Sequence, residues 1–487
     1  MFVFRTISRT STTTTRRPSM NTFRVLKTAV TDVATTQPGA RIGVLQLSKG
    51  FTVHTPNFVA PTSRGVVPHL SPDNLDRNTG VVGVYVALED FIEKAPQRVP
   101  PLYTWPGSLR DFISLPADNL LILAPRRSPA IACPKPNSDA NVSILTSVGF
   151  RDLPVKDYVS AVVKLQPDIV VGVADVPNTE TPGKTRVPKI PARTERWLDE
   201  LVGRINAGVS AKENADTHAA KAAADHRPAV FAPALALDHT KQRLYIDYLV
   251  DNVEKLCGLV FTQTDYLVDL PGELQQLARF NTDVTSGPHE ILDLIDRGVD
   301  MFNVNFTGLA TDAGIALHFT FGGDSSAEGV LLEQMDLATD MWNDEFATDL
   351  SPLEDGCACY ACRKHHKAYI QHCLAAKEMT AWVLLQLHNL NVVERFFTAV
   401  RESIEQGRWE GDKEAFEQRY KRELPEKTGK GPRLRGYQYK SAGGDKKLND
   451  PAYRSLDADT PEDEEGVPQT DAAGLQKSGF AQVASDW

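Results

Sequence analysis

A chain of 487 residues with 53 basic and 63 acidic side chains has a net charge of −10. That balance excludes a whole-surface coat of nucleic acid and confines any RNA contact to a local basic patch. The length suffices for one large α/β domain or two smaller ones. No run approaches the roughly 18 uninterrupted apolar residues of a membrane span, so a soluble protein is expected, and six cysteines, three of them clustered, fit a reducing compartment better than a disulfide framework.

Residues 1–22 place Arg5, Arg9, Arg16 and Arg17 among Ser and Thr, with no acid before Asp32. The segment reads either as a mitochondrial-type presequence or as a disordered tail ahead of a second start at Met20. From 23 to 345 short β-rich runs alternate with helix-period segments. The strand runs include Gly43 to Leu47, Val81 to Val86, Leu120 to Leu123, Ile169 to Val173, Ala229 to Ala234, Gly258 to Thr262 and Met301 to Val304. The helical ones are Val155 to Leu165, Lys189 to Ile205, Gln242 to Lys255 and Pro288 to Arg297. Alternation on this scale predicts a parallel sheet with helical crossovers, closed most economically as a (β/α)8 TIM-type barrel. An open doubly wound sheet is the alternative, but neither G-x-G-x-x-G nor G-x-x-x-x-G-K-[ST] is present. The Ala-, Lys- and Asp-rich stretch at about 207–228 reads as a soft insertion in the barrel.

The segment 346–410 carries the strongest signal, Cys357-Ala-Cys359-Tyr-Ala-Cys362 followed by His388 on a long helix-period run from Ala375 to Ile404. Three thiols and an imidazole match a closed tetrahedral zinc site, an appended subdomain with one structural Zn2+. A closed site has no position for water, so it builds structure and activates no nucleophile. On spacing alone Cys373, His365, His366 and His372 stay open as rival donors. Residues 411–487 are expected to form a polar, mostly disordered tail. Its basic stretch from Lys421 to Arg435 is either solvated or laid along a phosphate backbone.

Asp349-Leu350-Ser351-Pro352-Leu353, the cysteine cluster, Ala368-Tyr369-Ile370 and Leu387-His388-Asn389-Leu390 together resemble the zinc segment of the tRNA-guanine transglycosylases. Leu294 to Phe302 is similar to that family's late barrel strand and preceding helix. Ala40-Arg41-Ile42-Gly43, Thr55-Pro56-Asn57-Phe58 and Pro68-His69-Leu70 are similar to its start, so the likeness spans roughly 38 to 410. It implies Cys357, Cys359, Cys362 and His388 as the zinc ligands. It also implies exchange of the wobble base of tRNA by double displacement, which needs a carboxylate nucleophile and an acid/base group.

The sequence departs from that pattern where the chemistry should be. The nucleophile position, directly after Met301-Phe302, holds Asn303, and Phe306-Thr307-Gly308-Leu309 stands where the catalytic family has Pro-Thr-Arg. Ala124 to Pro129 replace the Asp-Ser-Gly-Gly-Phe-Gln loop, and the Gly-rich base-binding loop has no counterpart near Val268 to Phe280. The resemblance therefore points to the family's accessory branch, whose members have no catalytic residue and form a heterodimer with a catalytic subunit that exchanges guanine for queuine. It implies contact through the surface around the zinc segment, tRNA met through the complex, and a cytoplasmic place with possible peripheral association at the mitochondrial outer membrane. The alternative is an active transglycosylase using a displaced carboxylate, Asp300 or Asp175. A zinc deaminase is a third class, but no H-x-E occurs.

Overall fold

A computed structural model describes residues 21–432 except 30–38, 93–99, 132, 134, 147–148, 177–181, 214–226, 264–266, 268–269, 323–333, 427 and 430. The expectations for most of the N-terminal segment, for most of the insertion near 207–228 and for 433–487 fall outside these residues. Strands β1 (Thr22–Thr28), β2 (Arg41–Gln46) and β3 (Thr52–Thr55) form a small antiparallel sheet. Then follow β4 (Asn57–Pro61), β5 (Gly83–Ala87), β6 (Leu120–Ala124), a hairpin of β7 (Asn141–Thr146) and β8 (Gly149–Pro154), and β9 (Ile169–Val171). The series continues with β10 (Ala229–Ala234), β11 (Gly258–Phe261), β12 (Ala278–Asn281) and β13 (Met301–Asn303). Strands β4, β5, β6, β9, β10, β11, β12 and β13 pair in parallel in that order, and β13 pairs back onto β4. The expected TIM-type barrel is the observed one.

The continuous apolar runs follow from this closure, because each strand is covered on both faces. Leu120, Ile122 and Ala124 of β6 point into the barrel with Phe231, Phe280 and Met301. Leu121 and Leu123 point outward to the helices. The helix Val155–Leu165 shows the complementary pattern. Val155, Tyr158, Val159, Val162 and Leu165 are its buried stripe, and Gln166 closes it in a left-handed conformation.

The run at Gly43 to Leu47, which reads like its barrel neighbours, is instead part of β2 in the antiparallel sheet. Leu45, Leu47, Phe51 and Val53 join the barrel interior from below and plug its amino end. Arg41 fixes this cap. Its Nε donates to Asp300 Oδ1 at 3.0 Å and its Nη2 to the Leu277 carbonyl at 2.9 Å, while Arg279 N donates to Asp300 Oδ2 at 2.8 Å.

Beyond the barrel, β14 (Ile315–Leu317) and β15 (Ala338–Asp340) make an antiparallel ribbon. The helix-period run expected from Ala375 to Ile404 is one helix, Met379–Gln406, preceded by a separate helix, Lys367–Ala375, with Lys377 at φ 57° between them. The longer helix lies against the outside of the barrel, where Phe397 stacks on Phe58 (5.4 Å) and meets Phe302 (5.6 Å). Gly407, at φ 73°, ends it.

The first residues of the stretch expected to be a polar tail from 411 are folded. A helix at Trp409–Arg419 buries Trp409 and Phe416, and Tyr420 follows against Phe416 at 4.9 Å. Three aromatics in an otherwise charged stretch suffice to dock it on Phe321 and Phe396. Among the described residues no helix is long and apolar enough to cross a membrane.

Candidate metal centre and barrel mouth

Short local structures bring the cysteines together. Cys359 caps the helix Tyr360–Lys364, its Sγ accepting from Cys362 N at 3.3 Å, which turns Cys362 back toward Cys357. His388 comes from the middle of the helix Met379–Gln406 and is fully buried. Its Nδ1 lies 3.8, 3.6 and 3.4 Å from the Sγ atoms of Cys357, Cys359 and Cys362. All four ligand atoms fall within 4.8 Å of one another. A metal held tetrahedrally at ordinary Zn–S and Zn–N lengths gives S···N edges of about 3.5 Å, so the donor set fits such an ion and could hold it.

The second coordination layer agrees with this geometry. His388 Nε2 donates to the Leu317 carbonyl at 2.7 Å, which leaves Nδ1 as the lone-pair nitrogen facing the thiols. Asn389 accepts from Leu317 N at 2.9 Å and donates to Thr311 Oγ1 and the Ile315 carbonyl, both at 3.0 Å. The metal helix is thereby knitted to β14. Nothing in the sequence beyond the His-Asn adjacency signals these contacts. The rival donors lie elsewhere: His365 stacks on Tyr369, His366 Nδ1 accepts from Tyr369 N, and neither His372 nor Cys373 belongs to the four-atom cluster.

At the carboxyl end of the barrel strands, Asn303 closes β13. Its neighbour Met301 faces the interior and Phe302 the helices, so alternation turns Asn303 inward. It is 0% exposed, and neither Nδ2 nor Oδ1 has a hydrogen-bond partner. The loop after β6 lies across this position. Ser128 Oγ donates to the Thr282 carbonyl beyond β12, and Asn305 Nδ2 donates to Ser128 Oγ at 3.4 Å beyond β13.

The family model for queuine tRNA-ribosyltransferase matches residues 36–422. The chain belongs to the queuine tRNA-ribosyltransferase family. Queuine tRNA-ribosyltransferase accessory subunit 2 of Schizosaccharomyces pombe is 35% identical over 423 residues, covering 86% of this chain and 90% of that one. The proteins of the same description from Drosophila virilis and Xenopus tropicalis are each 27% identical. They cover 75% and 78% of this chain and 86% and 97% of their own lengths.

Within that family frame the two spare carboxylates are both unavailable. Asp300 precedes β13 at the plugged amino end, where Arg41 holds it, and is 0% exposed. A TIM-barrel site sits at the other end. Asp175 does follow β9 at the carboxyl end, yet it too is 0% exposed. Its oxygens take Asn137 Nδ2 at 2.7 Å, Arg193 Nη1 at 3.2 Å and Arg186 Nη2.

A third acidic group at the mouth was not visible in the sequence. Arg127 bridges Glu89, whose Oε1 accepts its Nε at 2.9 Å, and Asp90, at 3.1 Å. Burial outweighs the pull of Arg127 and raises Asp90 to about 6 from its ordinary 3.8. A carboxyl raised on folding helps stability below its unfolded value and loses that help as pH rises from about 4 through 6. Asp90→Asn is therefore expected to unfold at higher urea concentration than the parent at pH 7, by about 3 kcal/mol, with the difference vanishing near pH 4. Equal midpoints at both pH values contradict this.

Proposed function

We propose that this chain is the non-catalytic accessory subunit of a queuine tRNA-ribosyltransferase, paired one to one with a catalytic subunit that exchanges wobble guanine for queuine. Asn303 carries the reading. The resemblance places the nucleophile there, and the position holds an uncharged amide, fully buried beneath the Ser128 loop. An amide has no anionic oxygen for the ribose anomeric carbon, and a buried one cannot be reached by a polynucleotide. The accessory description of the relatives from yeast, fly and frog supports the same role.

The metal in this reading is zinc. Three thiolates and one imidazole at tetrahedral edge lengths favour a soft d10 ion and leave no open position. The ion would supply local folding energy to a segment of short helices and loops, and no chemistry. That segment also carries the proposed interface. Leu350 (74% exposed), Met379 (52%), Tyr360 and Tyr369 (both 36%) are exposed large apolar side chains concentrated between residues 350 and 379. Transfer RNA is met through the assembled complex.

Native mass spectrometry of the full chain mixed with a catalytic family member tests the pairing. A one-to-one complex with one zinc per subunit is expected. Weakening of that complex by Leu350→Asp with Met379→Asp, at unchanged zinc content, locates the contact. Two separate species at micromolar concentration contradict the proposal.

A further inference from the structure

Beside the sealed Asn303 position the barrel mouth keeps a cavity of about 480 Å³, large enough for a small organic molecule. Its wall is mostly apolar, with Pro125, Val142, Ile190, Pro233 and Leu235 among the lining residues. The polar groups facing it are unevenly satisfied. Asp175 is fully buried and already holds two arginines and Asn137, so its charge is neutralised within the protein. Asp283 accepts from Val284 N at 2.8 Å. Burial pushes the Cys133 thiol up, keeping it neutral.

Arg126 is the exception. It follows β6 directly, and its Nη2 donates to Asn137 Oδ1 at 3.3 Å and to the Ser143 carbonyl. Its Nε is buried without a partner, and among the described residues its Nη1 meets no acceptor. No carboxylate pairs with it, whereas its neighbour Arg127 has two. A largely buried guanidinium with no carboxylate in contact is costly to maintain: burial is the largest influence and lowers its pKa, while Glu89 and Asp175 act on it only from a distance. The missing partner is an anion, and the apolar wall calls for a body attached to it.

We infer that the barrel mouth binds a small organic anion, its apolar part against Pro125, Val142 and Leu235 and its carboxylate on Arg126 Nη1. This assignment stands apart from the accessory reading, since it needs neither the partner subunit nor tRNA.

The test uses the full zinc-loaded chain titrated with benzoate, with the neutral isostere benzamide and with inorganic phosphate, binding being read by calorimetry. A charge-assisted contact in an apolar cavity predicts benzoate at least about tenfold tighter than benzamide. Arg126→Gln should erase that ratio and Arg126→Lys should keep part of it, which separates loss of charge from loss of fold. Four results overturn the inference: no benzoate binding at millimolar concentration, equal affinity for benzamide, phosphate as tight as benzoate, or displacement of benzoate by an anticodon stem-loop RNA. The last would make an RNA phosphate the occupant.

Discussion

Replacing His388 by alanine is expected to release the metal entirely and to melt the segment from Asp349 to Ala376, while the barrel stays folded. Two losses coincide at this one residue. The first is the only nitrogen of the four-atom donor set, set 3.4–3.8 Å from the three sulfurs. The second is the Nε2 bond to Leu317, a direct tie between the metal helix and β14. Without the ion, three thiols lie packed together beside short helices of 5 and 9 residues, too short to hold themselves. Metal binding and folding of such a segment are one equilibrium, with roughly 10–16 kcal/mol of binding free energy at stake in zinc-finger peptides. Metal analysis should fall from one equivalent to none. Hydrogen exchange should lose protection across 349–376 and keep it in β5, β6 and β10. Retention of the metal, with exchange unchanged, would show that the cluster is an ordinary buried core.

The second large effect is at Asn303. Changing Asn303→Asp puts a carboxylate where the family resemblance places the nucleophile, yet it should yield no base exchange and a less stable protein. The new carboxylate would enter a fully buried position where the present amide finds no partner. An unpaired buried charge costs several kcal/mol or is neutralised by a raised pKa; here a cost of about 3 kcal/mol or more at pH 7 is expected, less in acid. Asn303→Leu should be neutral or stabilising, because replacing an unsatisfied amide by an apolar side chain of similar size removes a desolvation penalty. Guanine exchange by Asn303→Asp above background would mean that the Ser128 loop opens and that one substitution separates this chain from catalysis.

Much of this architecture is legible in the sequence because it is local. Ala229–Ala234 and Val155–Leu165 have the bounds their apolar patterns suggest, since each pattern is set by one barrel wall. The metal cluster is legible because three ligands fall within six residues and carry their chemistry with them. What is not legible depends on distant partners. Strands β4 and β12 hide behind Asn57, Pro61, Arg279 and Asn281; Arg279 is fully buried, with Nη1 on the Arg297 carbonyl and Nε and Nη2 unpartnered, a placement no local pattern announces. The β2 run has the composition of a barrel strand, for it is also covered on both faces, and only its antiparallel pairing reveals a cap. The Ser128 loop has no motif at all. The contacts of Ser128 are to residues 154 and 177 positions away, one of them a backbone carbonyl that any residue would present.

The most direct test of the central claim is a titration of this chain into a fixed amount of a catalytic family member, following release of labelled guanine from a tRNA with a wobble guanine. The account predicts no exchange by this chain alone, and a rate that climbs with its concentration to saturate at one equivalent. Exchange by this chain in isolation, or a rate indifferent to its addition, would contradict it.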